Sequence, residues 1–197
     1  MSLKVHRVPF STNVERIALA AAYKGVAVEW VDHAADDRSA IRELSGQELV
    51  PVAETPNGVL ADSTVIITWL EQAHPDPSLW PADPVRRAEA DTFVEWFNAV
   101  WKVAPNRLAA GEEDQALYDA LSEWLDRFET LLSHRDFLLG DTLGIADVVA
   151  FPFLKYPVLG LAADDADPFH RTLVETMADP GPALRTWVAR VDALPRA

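Results

Sequence analysis

The spacing of apolar positions changes character near residue 78 of the 197-residue chain. Before that point short strand-like runs alternate with helical stretches; after it the apolar spacing is helical wherever a pattern exists. Residues 3–8 read as a strand, residues 14–24 as a helix stopped by Gly25, and residues 27–31 as a second strand. Within that helix Val14, Ile17, Ala18, Ala21 and Ala22 recur on one face. Residues 50–54 and 58–61 read as strands around Thr55-Pro56-Asn57-Gly58, a turn of hairpin type. A helix over 64–73 follows, ended by Pro75 and Pro77. The order is βαβ, then a hairpin, then a helix.

Ser78-Leu79-Trp80-Pro81-Ala82-Asp83-Pro84 is a proline-rich linker. Beyond it Phe93, Trp96, Phe97, Val100, Trp101 and Ala104 make one wide apolar stripe, and Leu121, Trp124, Leu125, Phe128, Leu131 and Leu132 make another. Residues 145–154 are almost wholly apolar and suit a buried central helix, and residues 182–194 form a final amphipathic one. An α/β half followed by an α-only half implies two domains, at 1–77 and 85–197, joined by a linker at 78–84.

Composition narrows the chemistry. A formal net charge of −14 opposes binding to a phosphate backbone, so nucleic acid is a poor partner. The N-terminus has no apolar run of signal-peptide type, and no stretch approaches the ~18 apolar residues of a membrane span. A soluble, cytoplasmic protein is expected. With no cysteine, no protein thiol is available as nucleophile or redox centre, so any sulfur chemistry must use a sulfur carried by a ligand. The five histidines show no H-x-x-x-H or H-E-x-x-H spacing, and no metal site is expected.

Several motifs, in order, resemble the cytosolic glutathione transferase family over essentially the whole chain. They are Phe10-Ser11-Thr12-Asn13-Val14-Glu15-Arg16, Leu49-Val50-Pro51-Val52, Ala61-Asp62-Ser63 and Gly140-Asp141 with Ala146-Asp147. The linker motif Leu79-Trp80-Pro81-Ala82-Asp83-Pro84 and the ending Leu184-Arg185-Thr186-Trp187 belong to the same set. The resemblance implies a thioredoxin-like N-terminal domain, an all-α C-terminal domain, glutathione as cosubstrate and a homodimer. It implies a detoxifying conjugation of glutathione to a hydrophobic electrophile. A binding protein of this fold without turnover, a glutathione-dependent isomerase or peroxidase, and a user of another thiol remain alternatives.

The resemblance also implies roles. Ser11 lies between the first strand and first helix, where local sequence alone favours helix capping. Thr12 and Glu15 fit an S/T-x-x-E capping box that starts the helix at Thr12. In serine-type members of the family the hydroxyl matching Ser11 donates to the glutathione sulfur and stabilises its thiolate; Asn13 and Thr12 are the substitute donors. Val50-Pro51 is expected to be cis, with the Val50 backbone pairing to the cysteinyl part of the ligand. Asp62 and Ser63, also a natural cap, are expected to take the γ-glutamyl ammonium and carboxylate. Where the family has a lysine or glutamine this chain has Leu49, so Gln47 is expected to serve instead, with Arg38 or His33 for the glycyl carboxylate. Phe10, Phe97 and Trp101 are expected to line the electrophile pocket, although a buried core is the default for such a stripe. Asp147 is expected to be structural, bonding back to the backbone at Gly144.

Overall fold

In the computed structural model, which describes residues 2–177 and 179–197, the chain divides into two units. The first holds residues up to Leu79 together with 194–197, and the second runs from Trp80 to Ala193. The division therefore falls inside the proline-rich segment, while the last four residues cluster with the first unit. The Trp30 indole donates to Ala197 O at 2.9 Å, and Ala197 N donates to Ala18 O at 3.1 Å.

In the first unit β1 (Leu3–Arg7), α1 (Thr12–Tyr23) and β2 (Val28–Asp32) make a parallel βαβ unit. β3 (Val52–Thr55) pairs antiparallel to β1, and β4 (Gly58–Ala61) antiparallel to β3. The sheet order is β2-β1-β3-β4. Leu3 and Val5 are buried, as alternation in a strand with one covered face requires. The hairpin closes through Thr55, whose hydroxyl donates to Gly58 O at 2.8 Å, and Gly58 turns the chain with φ of 119°. α3 (Ser63–Ala73) follows β4 and packs against α1.

α1 begins at Thr12, the start that the Thr12/Glu15 pair indicates and two residues ahead of the apolar face that opens at Val14. α2 (Ser39–Ser45) was not expected at all: it has seven residues and buries only Ile41, too little for a periodic signal.

The second unit is helical throughout its regular elements. α4 (Pro84–Trp96) starts with proline at its first position and with the Asp83 carboxylate accepting from Val85 N and Arg86 N, both at 3.0 Å. It runs into a π-helical turn over Phe97–Trp101, closed by Lys102 N donating to Phe97 O at 3.2 Å, and then α5 (Val103–Ala109). α6 (Gln115–Leu132) buries Leu117, Leu121, Leu125, Phe128 and Leu132 along one stripe. Every residue of α7 (Ile145–Leu154) is buried. α8 (Tyr156–Leu159), α9 (Pro168–Thr176) and α10 (Pro182–Asp192) complete the unit.

Asp147 fastens this core. One carboxylate oxygen accepts from Leu138 N at 2.9 Å and the Trp187 indole at 2.8 Å; the other accepts from Gly144 N at 2.9 Å. The bond back to Gly144 was expected from sequence. The tie to Trp187 joins two motifs of the resemblance, 40 residues apart, that sequence reading had left separate.

Candidate active site

Sheet register brings the sequence motifs together. His6 on β1 lies opposite Val52 on β3, and Val52 lies opposite Ala61 on β4. One row of partners thus marks a single end of the sheet. There β1 leaves toward Ser11, β3 arrives from Val50-Pro51, and β4 leaves toward Asp62-Ser63. β2 is parallel to β1, so His33 and the segment toward Arg38 leave from the same end; His33 N donates to Arg7 O at 2.9 Å.

Ser11 occupies the N-cap of α1, and its side chain makes no cap hydrogen bond. The cap is instead made by its backbone: Ser11 O accepts from Val14 N and Glu15 N, both at 3.0 Å. The expected Thr12/Glu15 box therefore gives way to a helix whose cap is Ser11. Its hydroxyl remains at the positive end of the helix, beside N–H groups that have no partner within the first turn. Thr12 is buried at 5% exposure, which makes it a poor substitute donor, while Asn13 is half-buried.

The residue before Ser11 is Phe10, in the left-handed region at φ of 64° and well exposed. The residue before Ser63 is Asp62, with φ of 81°. Among the described residues these are the two non-glycine residues with positive φ. Each such conformation costs on the order of 1–3 kcal/mol, and such residues concentrate at ligand sites. No sequence signal predicts a left-handed Phe10, because phenylalanine does not favour that region.

The Val50–Pro51 peptide is cis. Val50 stands outside the β1–β3–β4 ladder, whose pairing begins at Val52. At the next turn Asp62 is the N-cap of α3, its Oδ1 accepting from Thr64 N at 2.7 Å and Val65 N at 3.3 Å. Ser63 is the first residue of the helix, and its Oγ accepts from Arg16 Nη1 at 3.2 Å. Arg16 is buried, and that burial pushes its guanidinium down to about 9, partly offset by the field of Asp62. It remains a cation at neutral pH. Sequence reading passed over Arg16, although Leu19 and Ala20, three and four residues on, would have placed it on a buried face.

Other expected contacts are spent elsewhere. The Gln47 amide braces its own loop: Oε1 accepts from Leu49 N at 2.5 Å, while Nε2 donates to Leu49 O at 2.8 Å and Ser45 Oγ at 3.0 Å. Both donor hydrogens are used, so Gln47 does not stand ready for a ligand in this arrangement. Arg38 is half-exposed and donates from Nε to Ala35 O at 3.0 Å. His33 Nε2 lies 2.9 Å from His6 Nδ1, and burial together with neighbouring His6 and Arg38 pushes its pKa down. A neutral imidazole is a weak partner for a carboxylate, which leaves Arg38 as the better cation of the two.

Phe97 and Trp101 correct the pocket expectation. Both rings are wholly buried within the helical unit, stacked at 4.5 Å and edge-on to Phe153 at 5.6 and 5.9 Å. They are core, and only Phe10 of the three expected lining residues presents its ring. Among the described residues no group of three or more His, Asp or Glu side chains is arranged to hold a metal ion, and no helix is long and apolar enough to cross a membrane.

Two family models divide the chain between them. Residues 5–78 match the glutathione S-transferase N-terminal domain, and residues 98–195 match the C-terminal domain. The chain belongs to the glutathione S-transferase family. It is similar to a probable maleylacetoacetate isomerase of Drosophila melanogaster, 34% identical over 58% of this chain and 49% of that protein. It is also similar to a probable glutathione S-transferase of Nicotiana tabacum, 27% identical over 72% of this chain and 65% of that protein. The chain thus spans about half of the first relative and just under two thirds of the second. Among solved structures the Tau class glutathione S-transferase of mango matches 98% of this chain and 89% of its own, with a TM-score of 0.77 at 19% identity. A glutathione S-transferase of Rhodospirillum rubrum matches 97% of this chain and 88% of its own, with a TM-score of 0.72 at 21% identity. The last two likenesses establish the fold.

Proposed function

We propose that this family member is a serine-type glutathione transferase, cytoplasmic and homodimeric, that conjugates glutathione to a hydrophobic electrophile. The observation that carries the reading is the Ser11 hydroxyl, left out of its own helix cap and set behind left-handed Phe10 at the sheet end shared with Val50-Pro51 and the start of α3. With the Val50 backbone holding the cysteinyl part, Ser11 donates to the sulfur and, with the α1 N-terminus, favours the thiolate over the thiol. The thiolate attacks the electrophilic carbon, a C–S bond forms, and the leaving group departs with its electron pair. Ser11 itself forms no covalent bond.

The test is binding of glutathione and an inert S-alkyl analogue beside turnover of a general aromatic electrophile. Ser11→Ala should bind glutathione nearly as well yet lose about a hundredfold in kcat, the scale for one lost donor to a developing anion. The pH profile should shift upward toward a free thiol, about 8.5. Wild-type binding without turnover would point to a ligand carrier, and no binding would remove glutathione altogether.

A second reading, glutathione-dependent isomerisation, draws on the likeness to the fly protein named a probable maleylacetoacetate isomerase. The same thiolate would add to a double bond, permit rotation and leave again. Turnover of a cis-enedione without net consumption of glutathione would select it.

A further inference from the structure

Arg16 is a large charged residue with 1% of its surface exposed, and its burial needs an account. Taking a guanidinium out of water costs several kcal/mol in real proteins, roughly, and an apolar side chain of similar length would avoid that cost. Its geometry points to the anion site. Nη1 donates to Ser63 Oγ, and Asp62, whose charge favours the guanidinium's charged form, is committed through Oδ1 to the first amides of α3.

A serine hydroxyl has one proton to donate and two lone pairs to accept with. Because Arg16 can only donate, its bond occupies a lone pair and leaves the Ser63 proton to be directed elsewhere. We propose that Arg16 is a positioning residue for the γ-glutamyl carboxylate: it holds Ser63 Oγ from within, so that the hydroxyl proton is offered to the ligand at the start of α3. Its charge adds to the helix terminus in favouring an anion there. The inference rests on the glutathione reading of the site and adds a residue to it.

Calorimetric binding compares glutathione with the analogue in which the α-carboxylate of the γ-glutamyl group is replaced by hydrogen. Arg16→Met should weaken glutathione about tenfold or more, the scale of one hydrogen bond to a charged group, and leave the analogue unchanged. Ser63→Ala should reproduce that selective loss, and the double variant should be no worse than either single one. In turnover KM for glutathione should rise while kcat holds, and Arg16→Lys should recover part of the loss. Equal weakening of both ligands would make Arg16 merely structural and overturn the proposal, as would undiminished glutathione binding by a folded Arg16→Met. Should Arg16→Met not fold, the same ligand selectivity read in Arg16→Lys and Ser63→Ala decides in the same way. Wild-type protein that binds neither compound would overturn the glutathione reading itself, and this inference with it.

Discussion

A carboxylate surrounded by three N–H donors would ordinarily be expected to stay ionised, yet Asp147 is buried deeply enough that its carboxyl is pushed up to about 6. The bonds from Leu138, Trp187 and Gly144 oppose that shift without cancelling it. Its folded value lies above its unfolded value of 3.8, so the native state holds the proton more tightly. The stability this adds is fully present below the unfolded value and is lost as pH rises through about 6. Asp147→Asn, which cannot titrate, should therefore remove that part of the pH dependence, as urea unfolding at several pH values between these limits would show. Asp147→Ala should cost about 3 kcal/mol or more at any pH, because two buried donors, Leu138 N and the Trp187 indole, and the half-buried Gly144 N lose their acceptor. Turnover per folded molecule should survive; normal stability with lost turnover would contradict the structural role. At this scale the bond from Gly144 to Asp147 and the helix starts at Ser11 and Asp62 were legible, because polar residues at helix starts follow short local rules. The burial of Arg16, the self-braced amide of Gln47 and the left-handed backbone of Phe10 were not, because they depend on which groups the tertiary fold sets beside them.

Helix α10 shows how an element can be capped from outside. Gly181 stands at its N-cap with no side chain to offer, and Glu129 of α6 supplies the acceptor instead. Its two oxygens receive Ala183 N at 2.9 Å and Leu184 N at 2.8 Å. A Cβ on Gly181 would lie 2.4 Å from Glu129 Cδ, so even alanine must displace the carboxylate from those bonds. Serine is normally the better cap, yet Gly181→Ser should destabilise here by about 1–2 kcal/mol, the ordinary worth of a lost cap. In a Glu129→Ala background the same change should become neutral or stabilising, because the obstruction has gone. A thermal-unfolding double-mutant cycle reads this, and additive penalties would refute it. Long-range caps of this kind leave no mark in local sequence, whereas α6 was legible from its apolar spacing and α7 from its nearly unbroken apolar run. The short α2 escaped notice because one buried residue sets no period.

At the scale of the whole molecule, the strand register explains why scattered motifs were informative. Residues 11, 50, 51, 62 and 63 are distant in sequence, but one row of β-partners, His6, Val52 and Ala61, fixes the end of the sheet from which all their turns emerge. Burial decided what sequence could not: the stripe that includes Phe97 and Trp101 serves the core of the helical unit rather than a pocket wall. The charge of the chain leads to a last expectation, about the proposed homodimer. Two copies each carrying −14 repel one another, and association must overcome that field through apolar or local polar contacts. Salt screens the repulsion, shortening the Debye length from about 30 Å at about 0.01 M to about 8 Å at physiological strength. Sedimentation equilibrium should therefore show the dimer tightening as salt is raised over that range. Weakening with salt would mean that complementary ion pairs across the interface outweigh the net charge, and a monomer at every salt concentration would refute the dimer.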